Sequence, residues 1–309
     1  MSGTSNQLTS NIIPHLWFDK EAKEAAEYYC TVFPDSSVTS SAVIPDTPSG
    51  DSESVSFRIW GQPFMAISAG PYFRPNPAIS FFVNFDPSRE DNARAMLDEA
   101  WNKLSDGGTP LMPLGKYPFS EWYGWIQDKY GISWQLILTN PEGDPRPPII
   151  PSMLFVGDNC GRAEEARAFY LSVFHNTRPG PLVRYGPGMA PDREGTVMFT
   201  DFMVENTWFT AMDSAHEHNF QFNEAISILI NCETQEEIDY YWERLSAVPE
   251  AEQCGWLKDK FGVSWQVSPA AIDKMLNEST PEQRKRVTEA FMQMKKFNLA
   301  ELEQAYRGQ

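Results

Sequence analysis

Few side chains in this chain could do chemistry, and most of them stand alone. Gln135 and Gln266 each lie inside an apolar run, S-W-Q-L and S-W-Q-V. A buried amide has to be hydrogen-bonded. Each glutamine therefore either ties down a neighbouring strand or forms a pocket floor that orients a ligand. Asn223 and Glu224, in F-N-E-A-I-S, stand where a strand begins. At the mouth of an apolar cleft, a carboxylate gains a raised pKa and works as acid or base; in water it is only a surface charge. Cys254 has no recognisable His-plus-acid set, which leaves it between an inert buried thiol and a nucleophile. His15 sits in the first apolar run, either as a packed core histidine or as a metal ligand. His216 and His218, with Asp213 and Glu217 near, form an H-x-H pair that would hold a metal weakly or simply decorate a loop. No G-x-G-x-x-G loop opens a helix, so no nucleotide or S-adenosylmethionine fold is indicated and no cofactor is expected.

The elements that position these residues come from a repeat. Trp125 to Leu136 reads W-I-Q-D-K-Y-G-I-S-W-Q-L, and Trp256 to Val267 reads W-L-K-D-K-F-G-V-S-W-Q-V. Each copy predicts a strand, a D-K-x-G turn and a second strand, with Gly supplying the positive φ. Other matches follow in the same order: Ile12-Ile13-Pro14 with Ile149-Ile150-Pro151, Ala22–Phe33 with Ala163–Phe174, and Phe64 with Phe209. Ala78-Ile79-Ser80 matches Ala225-Ile226-Ser227, and Trp101 matches Trp242. The chain is a tandem duplication of a unit of roughly 130 residues, one domain in size.

Within each half the order strand, helix, strands occurs twice, giving four modules. Ala22, Ala25, Ala26 and Tyr29 mark the first helix face. Ser88 is expected to cap the second helix, followed by a Gly/Pro-rich loop over Asp106–Tyr117. Residues 141–148, within the stretch N-P-E-G-D-P-R-P-P of Asn140–Pro148, form an extended linker between domains at 11–140 and 149–270. Thr234-x-x-Glu237, Thr280-Pro281-x-Gln283 and Asn298-x-x-Glu301 read as helix caps, the last two opening C-terminal helices within 271–309. Trp17, Trp60, Trp125, Trp208 and Trp256 supply aromatic walls for core or pocket.

With 42 acidic and 25 basic residues the formal charge is −17, and no basic run offsets it. Such a chain repels phosphate backbones and anionic membranes, so neither nucleic acid nor membrane is expected as a partner. Four scattered cysteines without a C-x-x-C pair fit a reducing, cytoplasmic setting. Residues 1–10 have neither an apolar nor a basic signal segment and read as a disordered tail.

These stretches resemble the vicinal oxygen chelate superfamily of glyoxalases, bleomycin-resistance proteins and extradiol dioxygenases. Pro14–Phe18 with Ala22–Phe33, Gly70–Phe82, Tyr117–Leu138, Phe220–Asn231, Gln253–Val267 and the tail from Pro281 carry the likeness. The resemblance is to the PhnB-like branch, labelled as a 3-demethylubiquinone-9 3-methyltransferase domain. It implies an α+β fold of two tandem domains, each with two βαβββ modules whose curved strands enclose a cup, plus C-terminal helices. Single-domain relatives pair, so a monomer with an internal pseudo-dimer is expected. Relatives that use metal place His, Glu and Gln at positions falling here near Ile13, Phe57, Ala78 and Gln135, and near Ile150, Phe202, Ala225 and Gln266. Those residues cannot assemble a metal centre. The resemblance therefore implies cups that hold a small apolar or aromatic molecule without metal, or an enzyme that needs none. Glu224, Cys254 and Gln266 would be the polar actors, and Asn223 would join them around the second domain's cup. Asn76, Tyr123 and Gln135 hold the matching places in the first, so the second domain is the expected seat of any chemistry.

Overall fold

The computed structural model describes residues 12–309; the expected tail lies outside the described residues. The first module is β1 (Ile12–Phe18), α1 (Ala22–Val32), β2 (Ser37–Thr47), β3 (Gly50–Ile59) and β4 (Gln62–Ser68). The second is β5 (Ile79–Phe85), α2 (Ala93–Ser105), β6 (Thr109–Tyr117), β7 (Ser120–Gln127) and β8 (Ser133–Leu138). The third is β9 (Ile149–Phe155), α3 (Ala163–Val173), β10 (Arg178–Arg184), β11 (Val197–Val204) and β12 (Thr207–Asp213). The fourth has one strand fewer: β13 (Ile226–Cys232), α4 (Gln235–Leu245), β14 (Trp256–Lys258) and β15 (Ser264–Pro269). Helices α5 (Ala271–Asn277), α6 (Pro281–Met292) and α7 (Leu299–Arg307) end the chain.

Local sequence explains most of these elements. The helix α1 buries Ala22, Ala25, Ala26 and Tyr29, the face its periodicity marks. Thr234 accepts from the Glu237 backbone, Thr280 and Gln283 complete a capping box, and Asn298 accepts from Glu301. Two expectations need correction. Ser88 does not cap α2: it bonds Asp86 instead, and the helix starts later, at Ala93. The supposed loop before Trp122 is largely strand β6, which tolerates Pro110 and Pro113 because it lies at a sheet edge.

The pairing of modules is the larger correction. Each half was expected to close its own cup. Instead β1 pairs antiparallel with β13, and β5 pairs antiparallel with β9. The first and fourth modules build a seven-stranded sheet in the order β14-β15-β13-β1-β4-β3-β2. The second and third build an eight-stranded sheet, β10-β11-β12-β9-β5-β8-β7-β6. Both halves contribute to both cups.

Modules of the same half meet on their other, helix-bearing faces. There the Tyr29 hydroxyl donates to Asp128 at 2.9 Å, its ring lies 5.2 Å from that of Trp134, and Phe64 meets Phe81 at 5.2 Å. The second half repeats this with Tyr170, Asp259 and Trp265: the hydroxyl donates at 2.7 Å and the rings are 5.4 Å apart. Both aspartates are buried. Each accepts two side-chain donors and two backbone N–H groups of its own turn. Burial raises both carboxyls, that of Asp128 to about 6. This buried bond network is the physical content of the repeated D-K-x-G-x-S-W.

The C-terminal segment makes up for the missing strand of the fourth module. At Cys254 and Gly255 both φ angles are positive, and the chain turns out of the sheet. The N–H groups of these two residues donate to the carbonyls of Met294 and Lys295 at 2.8 and 2.7 Å. Helices α5 and α6 reach the far edge strand, β2. The tail thus connects the two edges of the seven-stranded sheet, burying Met275, Val287, Phe291 and Leu302.

Candidate functional site

Strand alternation sorts the residues onto faces. In the seven-stranded sheet Ile12, Leu16, Phe57, Phe64, Ile228 and Trp265 point to the common core. The opposite, concave face carries His15, Trp17, Met65, Ser227, Ser264, Gln266, Trp256 and Lys258, which follow from the registers His15↔Ser227, His15↔Met65, Leu229↔Gln266 and Lys258↔Ser264. In the eight-stranded sheet the concave face carries Ser80, Phe82, Tyr123, Trp125, Ser133, Gln135, Ile150, Ser152, Trp208 and Thr210. His15 and Trp17 therefore join Trp256, Gln266 and Glu224, while Tyr123, Trp125 and Gln135 join Trp208. The expected division by sequence half does not hold.

At the centre of the seven-stranded cup the ring of His15 meets Trp256 edge-on at 5.6 Å, and Trp17 meets Trp256 at 6.0 Å. Trp17 donates from its indole to the Gly70 carbonyl at 2.8 Å. The Gln266 amide donates to Ser227 Oγ at 2.9 Å. His15 is buried, its Nδ1 has no hydrogen-bond partner, and burial pushes its pKa down to about 4. Its imidazole is neutral at pH 7. At the rim, Glu224 and Lys258 form an ion pair of 2.8 Å in which both side chains are mostly covered.

The eight-stranded cup is more fully engaged. Gln135 donates to Ser80 Oγ at 2.8 Å and accepts from the Tyr123 hydroxyl at 2.6 Å. Trp125 donates to Ser133 Oγ at 2.6 Å. Phe82, Tyr123, Ile150 and Trp208 are buried together over this floor. From the linker, Arg146 lies over the Trp208 ring at 3.8 Å and pairs with the buried Asp201 at 2.7 Å. Gly180 leaves the space that Asp201 fills, since a Cβ there would collide with the carboxylate. Asp201 and Arg146 were not singled out by sequence; only an arginine inside a proline-rich linker hinted at them.

Asn76 and Asn223 lie where the two halves cross, their amides engaged with backbone there. Cys254 is half-buried at the sheet edge, its sulfur 3.8 Å from that of Met292, and burial raises its pKa. Of the H-x-H pair, His218 meets Ser214 Oγ at 2.9 Å and His216 approaches Asp192 at 3.5 Å.

Among the described residues the two concave faces carry few side chains of the kinds that bind metal. The innermost positions on the first and last strands are His15, Met65, Ser227 and Gln266 in one cup and Ser152, Thr210, Ser80 and Gln135 in the other. One imidazole among hydroxyls, amides and a thioether does not fit a divalent ion. Phe57 and Phe202, two of the projected positions, point into the common core. Among the described residues no group of three or more His, Cys, Asp or Glu could hold a metal, and no helix is long and apolar enough to cross a membrane.

Four modules paired into two sheets with concave faces make a fold of the glyoxalase type. Glyoxalase I from Zea mays shares it, with 12% identity over 86% of this chain and 96% of that one and a TM-score of 0.51. The chain belongs to the family described as 3-demethylubiquinone-9 3-methyltransferase, whose profile matches residues 10–137 and again 147–268. A PhnB protein from Bacillus cereus, named for the same activity, is 33% identical over 41% of this chain and 98% of its own, with a TM-score of 0.37. No curated protein matches the chain.

Proposed function

We propose that this chain is a cytoplasmic small-molecule binding protein that holds an apolar or aromatic compound in a metal-free cup. The observation that carries this reading is the make-up of the concave floors: serine, threonine and glutamine at the centre, tryptophan and other aromatic side chains around them. Such a surface is mostly apolar with a few convergent hydrogen-bonding groups, the usual constitution of a ligand site. Native mass spectrometry of the protein purified from its own host tests it. A retained organic molecule of defined mass is expected. A tightly held zinc, iron, nickel or manganese ion at about one per chain, surviving chelator dialysis, would sink the metal-free part of the reading.

The second reading is a metal-independent isomerase, cyclase, lyase or transferase, and the Glu224–Lys258 pair at the rim of one cup favours it. A proton could pass between such a pair and a substrate. Turnover that survives Glu224→Gln would remove its main support. The family description names a methyl transfer, yet the sequence has no Gly-rich strand–loop–helix to hold a methyl donor.

A further inference from the structure

The two cups are built from matching positions, and comparison of those positions shows what each has left to offer. Trp125, Ser133, Gln135, Tyr123, Phe82 and Trp208 of the eight-stranded cup correspond to Trp256, Ser264, Gln266, Cys254, Leu229 and Pro63 of the seven-stranded cup. In the first set the tryptophan donates to the serine and the tyrosine donates to the glutamine. In the second set both bonds are missing. The chain leaves the sheet at Cys254 and Gly255, so no described residue takes the place of the tyrosine hydroxyl, and Cys254 faces Met292. The Gln266 carbonyl oxygen and the Trp256 indole N–H have no hydrogen-bond partner among the described residues. Ser264 Oγ and His15 Nδ1 are buried without one. His15 is 5% and Ser264 1% exposed.

An unpartnered buried polar group is costly and rare, and two of them on one face, His15 Nδ1 and Ser264 Oγ, invite a partner from outside the chain. Leu229, Cys254 and Pro63 are smaller than Phe82, Tyr123 and Trp208, whereas His15, Trp17 and Met65 are larger than their counterparts Ser152, Leu154 and Thr210. Trp17, Ile67, Trp256 and Lys258 around the seven-stranded floor keep partial contact with solvent. The unengaged atoms include an acceptor on Gln266 and a donor on Trp256, with Ser264 able to do either. The charge of Lys258 beside them is matched by Glu224.

Resting on the reading above, we propose that the seven-stranded cup, shared by the first and fourth modules, is the binding site, and that its ligand is an uncharged hydroxylated aromatic compound. Its ring would lie against Trp17 and Trp256. Its hydroxyl would donate to Gln266 and accept from Trp256 or Ser264. In the eight-stranded cup Gln135, Tyr123, Trp125 and Ser133 bond one another or a neighbouring serine, although Thr210 Oγ1 and Asp201 Oδ1 are buried there without a partner, and Arg146 lies over Trp208.

Three probes test this by calorimetry: 2-naphthol, naphthalene and 2-naphthoate. The hydroxylated probe should bind at least about tenfold more tightly than the other two, the size of one well-made hydrogen bond in a buried site. Gln266→Leu should weaken 2-naphthol about tenfold more than Gln135→Leu does. A readout without substitution is the histidine ring spectrum of the wild-type protein: of four histidines, the signal of His15 should move on adding 2-naphthol. Naphthalene binding as tightly as 2-naphthol would overturn the proposal while leaving the apolar-ligand reading intact. Loss through Gln135→Leu with Gln266→Leu unaffected would assign the other cup. Tighter binding of 2-naphthoate would overturn the uncharged class. No binding of any probe at millimolar concentration would overturn the proposal, and the retained-molecule experiment would then decide the broader reading alone.

Discussion

Asn76 and Asn223 each hold the other's strand approach. The Asn76 amide donates to the Gln221 carbonyl at 2.9 Å, and the Asn223 amide donates to the Arg74 carbonyl at 2.9 Å. Each side-chain oxygen accepts from a backbone N–H two residues on, at Ala78 and Ala225. This reciprocal clasp lies where the two repeated halves cross, just before β5 and β13 enter their different sheets. It is the arrangement of a symmetric dimer interface made within one chain.

The intact chain should therefore be a monomer of 35.1 kDa by light scattering. Residues 1–140 and 141–309 made separately would each expose β1 and β5, or β9 and β13, as open edges. Mixing them should restore a one-to-one complex. Two halves that fold alone and ignore each other would contradict the shared sheets.

Asp128→Ala and Asp259→Ala should each cost about 3 kcal/mol or more, because two side-chain donors and two backbone N–H groups lose their acceptor inside the core. Urea unfolding measures it. A loss below about 1 kcal/mol in both variants would mean that these carboxylates do not hold the turns.

His15 gives the stability a pH dependence of known sign. Its folded pKa is depressed to about 4, below the ordinary 6.5. Its contribution is complete above pH 6.5 and is lost as the pH falls through 4, amounting to about 3 kcal/mol over that window. Asp128, Asp213 and Asp259, raised by burial, act in the opposite sense. The difference between wild type and His15→Gln isolates the histidine. That difference should shift in favour of the variant between pH 6.5 and 4, and a flat difference would count against a buried neutral imidazole.

Gly255→Ala should destabilise the protein by about 2 kcal/mol or more. The residue has φ +81°, and a Cβ would run into Phe297 of the C-terminal segment and approach the Val267 carbonyl. Thermal unfolding compared with Gly186→Ala, where nothing lies within 4 Å of a Cβ, separates this collision from a general cost of replacing glycine.

The sequence carries the local structure legibly. Periodicity marks the buried face of α1, and Thr234, Thr280 and Asn298 announce their helices because capping is chemistry between near neighbours. Strand β6 was hidden because prolines look like a loop unless one knows the strand is an edge. The sharing of the sheets was hidden for a different reason. A strand such as Ile12–Phe18 shows which face is apolar, not which of several similar edges will pair with it. Gln135 and Gln266 could be picked out as buried amides. Whether each was satisfied depended on Tyr123 in one case and on the backbone turn at Cys254 in the other, and the second is invisible in residue types alone. Asp128 and Asp259 could be seen in their turn motif, but not as a buried carboxylate bound to Tyr29 or Tyr170 from another module.

Because each sheet draws on both halves, recombination cannot treat the halves as independent cassettes. A crossover within the linker would replace one side of both cups at once, uniting β1 and β4 with a foreign β13 and β15, and β5 and β8 with a foreign β9 and β12. A chimera would keep its fold only if the incoming half matched two interfaces together. Variation in ligand preference is then expected to arise by substitutions on the concave faces, not by exchange of whole domains.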